Sequence, residues 1–186
     1  MLGMIIIERF DIPETFIAVS SSVFLILKKN QIPDNKITNG KKLFSKLDAG
    51  TPVCLQDYPP TTTVHFSVSV INRLIEIYSD IVMFKHEDCP GHRKLTQVRN
   101  AHEAEGVRRV SILTGNGGLY VPQELRRGAD GIMTGFAFPG MLVEAFNLFR
   151  DGKLDKAEDL FDLYLPLIRH EQQFGFGLIQ IHRFQF

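Results

Sequence analysis

The sequence has no tryptophan, no net charge and only two cysteines in 186 residues. Because 21 basic residues balance 21 acidic ones, we expect no nucleic-acid partner and no binding to an acidic membrane surface. Two cysteines, Cys54 and Cys89, cannot build a disulfide framework, so we expect reduced thiols in a cytoplasmic protein. An apolar content of 44% is enough for one domain with a sizeable core.

Long hydrophobic runs are missing too. Residues 16–27 form an apolar stretch of about a dozen residues, whereas a membrane span needs roughly twenty. Glu8 and Asp11 precede this stretch, where a signal peptide would have a basic segment. We therefore expect neither a membrane span nor a signal peptide.

The stretch from Ile81 to Pro90 carries the most informative pattern. Its first four residues are apolar, which predicts a strand buried on both faces, and the run stops at Lys85. The carboxyl ends of parallel strands are where barrels and open α/β folds bind ligands, and a partly desolvated lysine there can act as a nucleophile. The alternative is that Lys85 only marks the point where the strand meets water.

A second strand of the same kind precedes it. Residues 52–57 are mostly apolar, and Pro59 and Pro60 prevent the strand from continuing beyond Tyr58. Residues 65–78 have apolar positions close to helical spacing. Strand, helix and strand predict a right-handed crossover, which places Tyr58 and Lys85 at the same end of neighbouring parallel strands.

These residues resemble those of a known family. A strand-end tyrosine followed by proline, and a strand-end lysine 27 residues later, are similar to the dihydrodipicolinate synthase and N-acetylneuraminate lyase family of class I aldolases. The segments Leu113 to Gly118 and Gly128 to Gly135 resemble the next two strand ends of that family. The resemblance covers roughly residues 50–177.

The resemblance implies a chemistry and a set of site residues. Lys85 would form a Schiff base with pyruvate or another 2-oxo acid, and the Tyr58 hydroxyl would shuttle protons in a lyase, aldolase or dehydratase reaction. We expect the pKa of Tyr58 to be lowered by a nearby cation. The partner would be a small 2-oxo acid, and no cofactor is expected.

The segment after the third predicted strand supplies candidate substrate-binding residues. Gly115, Asn116 and Gly117 could offer backbone N–H groups to a carboxylate, or they could only form a turn. Thr134 ends the next strand and is a further candidate pocket residue. The loop lacks the spacing and the lysine of a phosphate-binding loop, so we expect no nucleotide.

Two departures from the family pattern bear on the substrate and on the activity. The substrate-binding arginine of dihydrodipicolinate synthase itself, five residues after the tyrosine, is Thr63 here. We therefore expect a sugar-acid or other 2-oxo-acid branch rather than lysine biosynthesis. The family's carboxylate-binding loop, of Gly-Thr-Thr-Gly type on an earlier strand, has no match here, which favours the alternative of a chain that is not active by itself.

The remaining pattern predicts the fold class. Strands are predicted at residues 109–114 and 131–134, and helices at residues 95–104, 118–127, 139–149 and 154–169. This makes about four βα units, while a closed (β/α)8 barrel takes about 250 residues. We expect an α/β protein that is a partial (β/α)8 barrel, with an open parallel sheet, helices on its outer face only, and an accessible inner face bearing Cys54, Gln56, Val82 and Phe84.

The predicted organisation has three parts. Residues 1–40 form an N-terminal segment with a polar linker at 30–40, residues 41–178 form the C-terminal part of a barrel, and residues 179–186 form a tail. Residues 41–47 would end the helix before the Tyr58 strand. An open half-barrel exposes its edges, so we expect a homo-oligomer if the chain folds, and otherwise an unstable product or a partial gene. The alternative function is a truncated, catalytically inactive remnant.

Four possible metal ligands form a cluster in the sequence. His86, Glu87, Asp88 and His92 lie close in sequence, but consecutive loop residues point in different directions. We expect a solvated charged face here and no metal site. The other histidines, His65, His102, His170 and His182, are expected on the surface.

Overall fold

The computed structural model describes residues 4–7, 17–20, 48, 50–104 and 107–173. These residues belong to two compact units. We call residues 10–112 the Lys85 unit and residues 1–9 with 113–186 the Gly115 unit. The elements in chain order are β1 (Met4–Ile7), β2 (Ile17–Ser20), β3 (Val53–Asp57), α1 (Pro59–Thr62), α2 (Val68–Ile77), β4 (Ile81–His86), α3 (His92–Glu103), β5 (Ser111–Thr114), a 3-10 turn (Asn116–Gly118), α4 (Val121–Leu125), β6 (Gly131–Thr134), α5 (Pro139–Arg150) and α6 (Leu154–Gln173).

The Lys85 unit is built on parallel strands. β2 pairs in parallel with β3, and β3 pairs in parallel with β4. Pro59 and Pro60 start the short helix α1 directly after β3, because proline fits the first turn of a helix but cannot extend a strand. The amphipathic α2 buries Ile71, Leu74 and Ile75. The predicted strand, helix, strand crossover is therefore confirmed.

Two polar side chains fix the ends of α2. Ser67 is its N-cap, and the Ser67 hydroxyl accepts a hydrogen bond from the backbone N–H of Val70. At the other end, one guanidinium nitrogen of Arg108 lies 2.8 to 3.1 Å from three backbone carbonyl oxygens, those of Ile75, Tyr78 and Ile81. Arg108 thus ties the end of α2 to the first residue of β4.

The Gly115 unit has both strand orientations. The last residues of β5 pair in parallel with β6, whereas β1 pairs antiparallel with β6. α5 packs against α6, and the two helices are separated by a break at Asp151 and Gly152, where Gly152 has φ of +75°. Their apolar faces form a core with α4, β6 and the segment after β6; its members are Val121, Leu125, Ile132, Phe136, Met141, Leu142, Ala145, Phe146, Phe161 and Ile168.

From residue 52 onward the structure contains the predicted helices and strands. All four predicted βα units are present, so the α/β class and the βα organisation are confirmed. The predicted last helix is confirmed, with Ala157, Phe161 and Ile168 buried on its apolar stripe. The strands β1 and β2 were not predicted, and β1 adds an antiparallel strand to a sheet that we expected to be parallel.

Some predictions lie outside the described residues. The linker at 30–40, the helix end at 41–47 and the tail at 179–186 fall there, and the boundaries of the three predicted parts stay a prediction. Six strands are present in the described part of the chain.

Within the described residues, no helix is both long enough and apolar enough to cross a membrane.

Candidate active site

Tyr58 and Lys85 lie at the same end of a parallel strand pair. Tyr58 is the residue directly after β3, and Lys85 is the last residue but one of β4. Gln56 of β3 is the register partner of Lys85. Because β3 and β4 are parallel, both predicted catalytic residues lie at the carboxyl ends of their strands, as expected.

The strand register also shows which side chains share a face. Cys54 pairs with Met83 and Gln56 with Lys85, so these four side chains share one face. We call it the Lys85 face. Leu55 pairs with Phe84 and therefore lies on the opposite face.

The predicted inner face was therefore partly wrong. Val82 and Phe84 alternate with Lys85 along β4, so they do not share a face with Cys54 and Gln56. Cys54 and Phe84 are also fully buried rather than partly bare, whereas Gln56 and Val82 are half-buried.

Glu87 is a member of the Lys85 face that the sequence reasoning missed. Its backbone N–H donates to the carbonyl of Asp57 at 2.9 Å, which extends the pairing past the end of β4 and puts Glu87 on the same side as Lys85. Glu87 Oε2 lies 3.2 Å from Lys85 Nζ and accepts a hydrogen bond of 2.5 Å from Gln56 Nε2. The signal was available as a Lys-x-Glu spacing, since residues i and i+2 of an extended chain share a face.

The expected solvated charged face is not observed. His86 is fully buried and Glu87 is 5% exposed, while Asp88 and His92 are half-buried. Glu87 is separated from His86 because alternate positions of an extended chain point to opposite faces, whereas Asp88 and His92 lie close enough to His86 for their charges to act on its pKa. Among the described residues, no group of three or more histidine, cysteine or acidic side chains is arranged to hold a metal ion.

The opposite face of the strand pair holds a buried polar network. Lys94 Nζ lies 2.9 Å from Asp57 Oδ2 and also forms an ion pair with Asp88. Burial raises the pKa of Asp57, although the hydrogen bond from Lys94 opposes that rise. Lys94 thereby connects the end of β3 to the segment that follows β4.

His86 is held in its neutral form on that face. Its Nε2 lies 3.0 Å from the carbonyl oxygen of Gly91, so Nε2–H is the donor. Burial, followed by the charge of Lys94, lowers the pKa of His86 to about 4. A Cβ on Gly91 would lie 2.2 Å from this nitrogen, so glycine is required there. The hydrogen bond to Gly91 ties His86 to the loop that follows β4.

The environment of Tyr58 differs from the expected one. Burial raises the pKa of the Tyr58 phenol, the negative charge of Glu87 adds to the rise, and a hydrogen bond with Thr61 opposes it. The expectation that a cation lowers the pKa of Tyr58 was therefore wrong. At neutral pH the phenol keeps its proton and is able to donate it.

The two thiols differ in their surroundings. Cys54 is fully buried, and burial raises its pKa to about 12 although nearby Lys85 opposes the rise. Cys89 is exposed, and neither cysteine is in a disulfide. Of the other histidines, His65 and His170 are exposed as expected, but His102 is 5% exposed, so the expectation for it was wrong. His182 lies outside the described residues.

The predicted substrate-binding residues lie in the Gly115 unit, where Gly115 directly follows β5 and Thr134 ends β6. Asn116 and Gly117 both have positive φ, and the loop closes with a hydrogen bond of 2.9 Å from the Gly118 N–H to the Gly115 carbonyl.

Two side chains lie close to this loop. A Cβ on Gly117 would lie 1.7 Å from the amide nitrogen of Gln172 of α6, and a Cβ on Gly118 would lie 3.7 Å from the Thr134 methyl group. The loop and Thr134 are therefore brought together within this unit. Their role in substrate binding stays a prediction.

Comparisons with known proteins identify the relatives of this chain. No protein-family model matches it. The 4-hydroxy-tetrahydrodipicolinate synthase of Methanothrix thermoacetophila is 34% identical over 120 residues, which cover 63% of this chain and 39% of that protein. The L-2-keto-3-deoxyarabonate dehydratase of Azospirillum brasilense is 27% identical over 128 residues, which cover 66% of this chain and 38% of that protein.

A solved structure agrees with these relatives. The crystal structure of dihydrodipicolinate synthase from Rhodopseudomonas palustris matches with a TM-score of 0.74 and 44% sequence identity, covering 78% of this chain and 49% of that one. The chain is similar to members of the dihydrodipicolinate synthase family. The fold shared with dihydrodipicolinate synthase confirms the predicted partial (β/α)8 barrel, since this chain spans about half the length of that structure and about two fifths of the curated relatives.

Proposed function

We propose that the protein is a Schiff-base lyase, acting as an aldolase or dehydratase on pyruvate or another 2-oxo acid. Lys85 carries this proposal. It lies at the carboxyl end of β4 with its side chain 18% exposed, next to a buried carboxylate and on the strand neighbouring that of Tyr58. A partly buried amine at a strand end is placed to attack a small carbonyl compound.

The chemistry uses one lysine and one phenol. The neutral amine of Lys85 attacks the keto carbon, the carbonyl π electrons move to oxygen, and protonation followed by loss of water leaves an iminium ion. The iminium accepts electrons from the adjacent carbon, which permits carbon–carbon cleavage, condensation or dehydration. Tyr58 acts as the acid–base group, because its raised pKa keeps a transferable proton on the phenol at neutral pH.

The relatives support a substrate with a keto group next to a carboxylate. One of them is named as a dehydratase of a 2-keto sugar acid, and another is named as a 4-hydroxy-tetrahydrodipicolinate synthase. Thr63 stands where the resemblance leads us to expect the substrate-binding arginine of lysine biosynthesis. A sugar-acid or simple 2-oxo-acid substrate is therefore the one we propose.

The alternative is a catalytically inactive half-barrel. The observation that keeps it open is that the chain spans about two fifths of its curated relatives. We also propose a cytoplasmic protein that assembles with copies of itself, and sedimentation of the purified chain would test the assembly.

Borohydride trapping separates the active from the inactive protein. Reduction of the protein with millimolar pyruvate is expected to add the mass of one reduced pyruvate adduct, and peptide mapping is expected to place it on Lys85. Lys85→Met should abolish the adduct. The matched control is Lys153→Met, because Lys153 is an exposed lysine in the other unit and its loss should change nothing. A wild-type chain that forms no adduct would support the inactive half-barrel.

A further inference from the structure

Before Lys85 can attack a carbonyl carbon, its ammonium group must pass one proton to a base. Two titratable groups in the described part of this unit interact with Lys85, namely the Cys54 thiol and the Glu87 carboxylate, and Tyr58 lies close enough to Glu87 for its pKa to respond to that charge. The Cys54 thiol and the Tyr58 phenol both have raised pKa values, so at neutral pH each already holds its proton. Neither the thiol nor the phenol can therefore accept the proton of the Lys85 ammonium.

Glu87 differs from both groups because it already contacts the reacting nitrogen. Its Oε2 lies 3.2 Å from Lys85 Nζ, and the side chain is buried. Its backbone is held by the hydrogen bond to the Asp57 carbonyl, so its direction is set by the extended strand pairing. A carboxylate at this distance can take the proton directly.

The direction of the Glu87 carboxylate is also fixed by Gln56. The amide of Gln56 donates to the same Oε2 atom, and Gln56 and Lys85 are register partners on adjacent strands. Two donors on neighbouring strands therefore hold one carboxylate oxygen. This arrangement positions the Glu87 carboxylate beside the Lys85 ammonium.

We propose that Glu87 is the base that accepts the proton of the Lys85 ammonium, and that Gln56 is the residue that positions Glu87. The inference rests on the proposed function and assigns the first step of that reaction. The N–H bond of Lys85 breaks and its electron pair stays on nitrogen, which becomes the neutral amine. Glu87 becomes a carboxylic acid, which can return the proton to the oxygen that leaves as water.

The test is the rate of adduct formation at Lys85, measured by timed borohydride quenching and mass spectrometry over a range of pH. Glu87→Gln keeps the size of the side chain but cannot accept a proton. We expect it to slow adduct formation at neutral pH by about a hundredfold or more, the usual contribution of general base catalysis. The rate should then rise steeply with pH, because base in the solvent replaces Glu87.

Two further variants serve as controls. Glu87→Asp keeps a carboxylate and should keep the shape of the wild-type pH profile at a lower rate. Asp88→Asn removes the neighbouring carboxylate, which pairs with Lys94 instead, and should react at the wild-type rate. Circular dichroism checks that each variant folds.

The outcomes distinguish the two proposals. Two results would overturn the role of Glu87 while the Schiff-base function stands. Glu87→Gln could form the adduct at the wild-type rate at every pH, or it could be slowed by the same factor at every pH. A wild-type chain without any adduct would overturn the function, and the role of Glu87 with it. If Glu87→Gln does not fold, Glu87→Asp and Gln56→Met replace it, and unchanged rates in both would overturn the inference.

Discussion

Lys94 and Asp57 form a buried ion pair between α3 and the end of β3. The ammonium nitrogen of Lys94 lies 2.9 Å from Asp57 Oδ2, and Asp57 has no exposed surface. The pair joins the residue that precedes Tyr58 to the helix that follows the Lys85 strand. It therefore holds both candidate catalytic strand ends together from the opposite face of the sheet.

Removal of Lys94 should strongly destabilise the protein. Lys94→Met leaves the Asp57 carboxylate buried without its cation, which costs about 3–5 kcal/mol in comparable buried pairs. Because the pKa of Asp57 is already raised, the folded state binds a proton at Asp57 more readily than the unfolded state does. The loss of stability caused by Lys94→Met should therefore shrink as pH falls, since protonation removes the unpaired charge. Urea unfolding at neutral and mildly acidic pH measures both effects. A loss below about 1 kcal/mol, as for surface pairs, would contradict the prediction.

The buried His86 should make stability depend on pH. Its pKa is lowered from 6.5 to about 4, so the unfolded state binds a proton between these values and the folded state does not. The contribution of His86 to stability is therefore present above pH 6.5 and is lost as pH falls toward 4. We expect a loss of about 2 kcal/mol at about pH 5, which His86→Gln should remove. Identical pH slopes in the two proteins would refute the assignment.

Two glycine substitutions should have opposite effects. A methyl group on Gly91 would meet His86 Nε2 at 2.2 Å and the Asp88 carbonyl oxygen at 2.4 Å. Gly91→Ala should therefore cost about 1–3 kcal/mol, as overpacking does. Gly140→Ala is the matched control, because nothing lies within 4 Å of the added methyl group. Within the first turn of α5 it should stabilise the protein by about 0.5–1 kcal/mol. Chemical denaturation of both variants checks the two signs.

The two cysteines should react at very different rates. Thiol reagents attack the thiolate, and Cys54 is buried with its pKa raised to about 12, whereas Cys89 is exposed. One thiol of the folded protein should react with a disulfide reagent, and Cys89→Ser should remove that reaction. The second thiol should react only after denaturation. Rapid modification of Cys54 in the folded protein would show that the Lys85 face is more open than its burial indicates.

The strands around the candidate site were predictable because the sequence patterns that specify them involve only neighbouring residues. The apolar runs that end at Tyr58 and Lys85 identified β3 and β4, since a buried strand needs continuous apolar residues and stops where prolines or charges begin. The break at Asp151 and Gly152 was equally clear. Each of these features depends on neighbouring residues only.

The strands β1 and β2 were missed because their conformation depends on pairing with distant parts of the chain. β1 has four residues and pairs with β6, more than a hundred positions away in the sequence. An apolar run this short is compatible with several conformations, and only its pairing partner decides between them. The same holds for β2, whose parallel partner is β3.

The sequence by itself determined the α/β alternation, the carboxyl-end positions of Tyr58 and Lys85, and the resemblance to a Schiff-base family, because these follow from hydrophobic period and from the order of residues. The tertiary structure alone decided the surroundings of those residues. It buried His86 on one face and Glu87 on the other, and it placed Gln56 beside Lys85 through the register of two strands. It also raised the pKa of Tyr58 where the sequence predicted a fall. Burial and charge at a site depend on residues brought together by strand pairing, and no local pattern in the sequence contains that information.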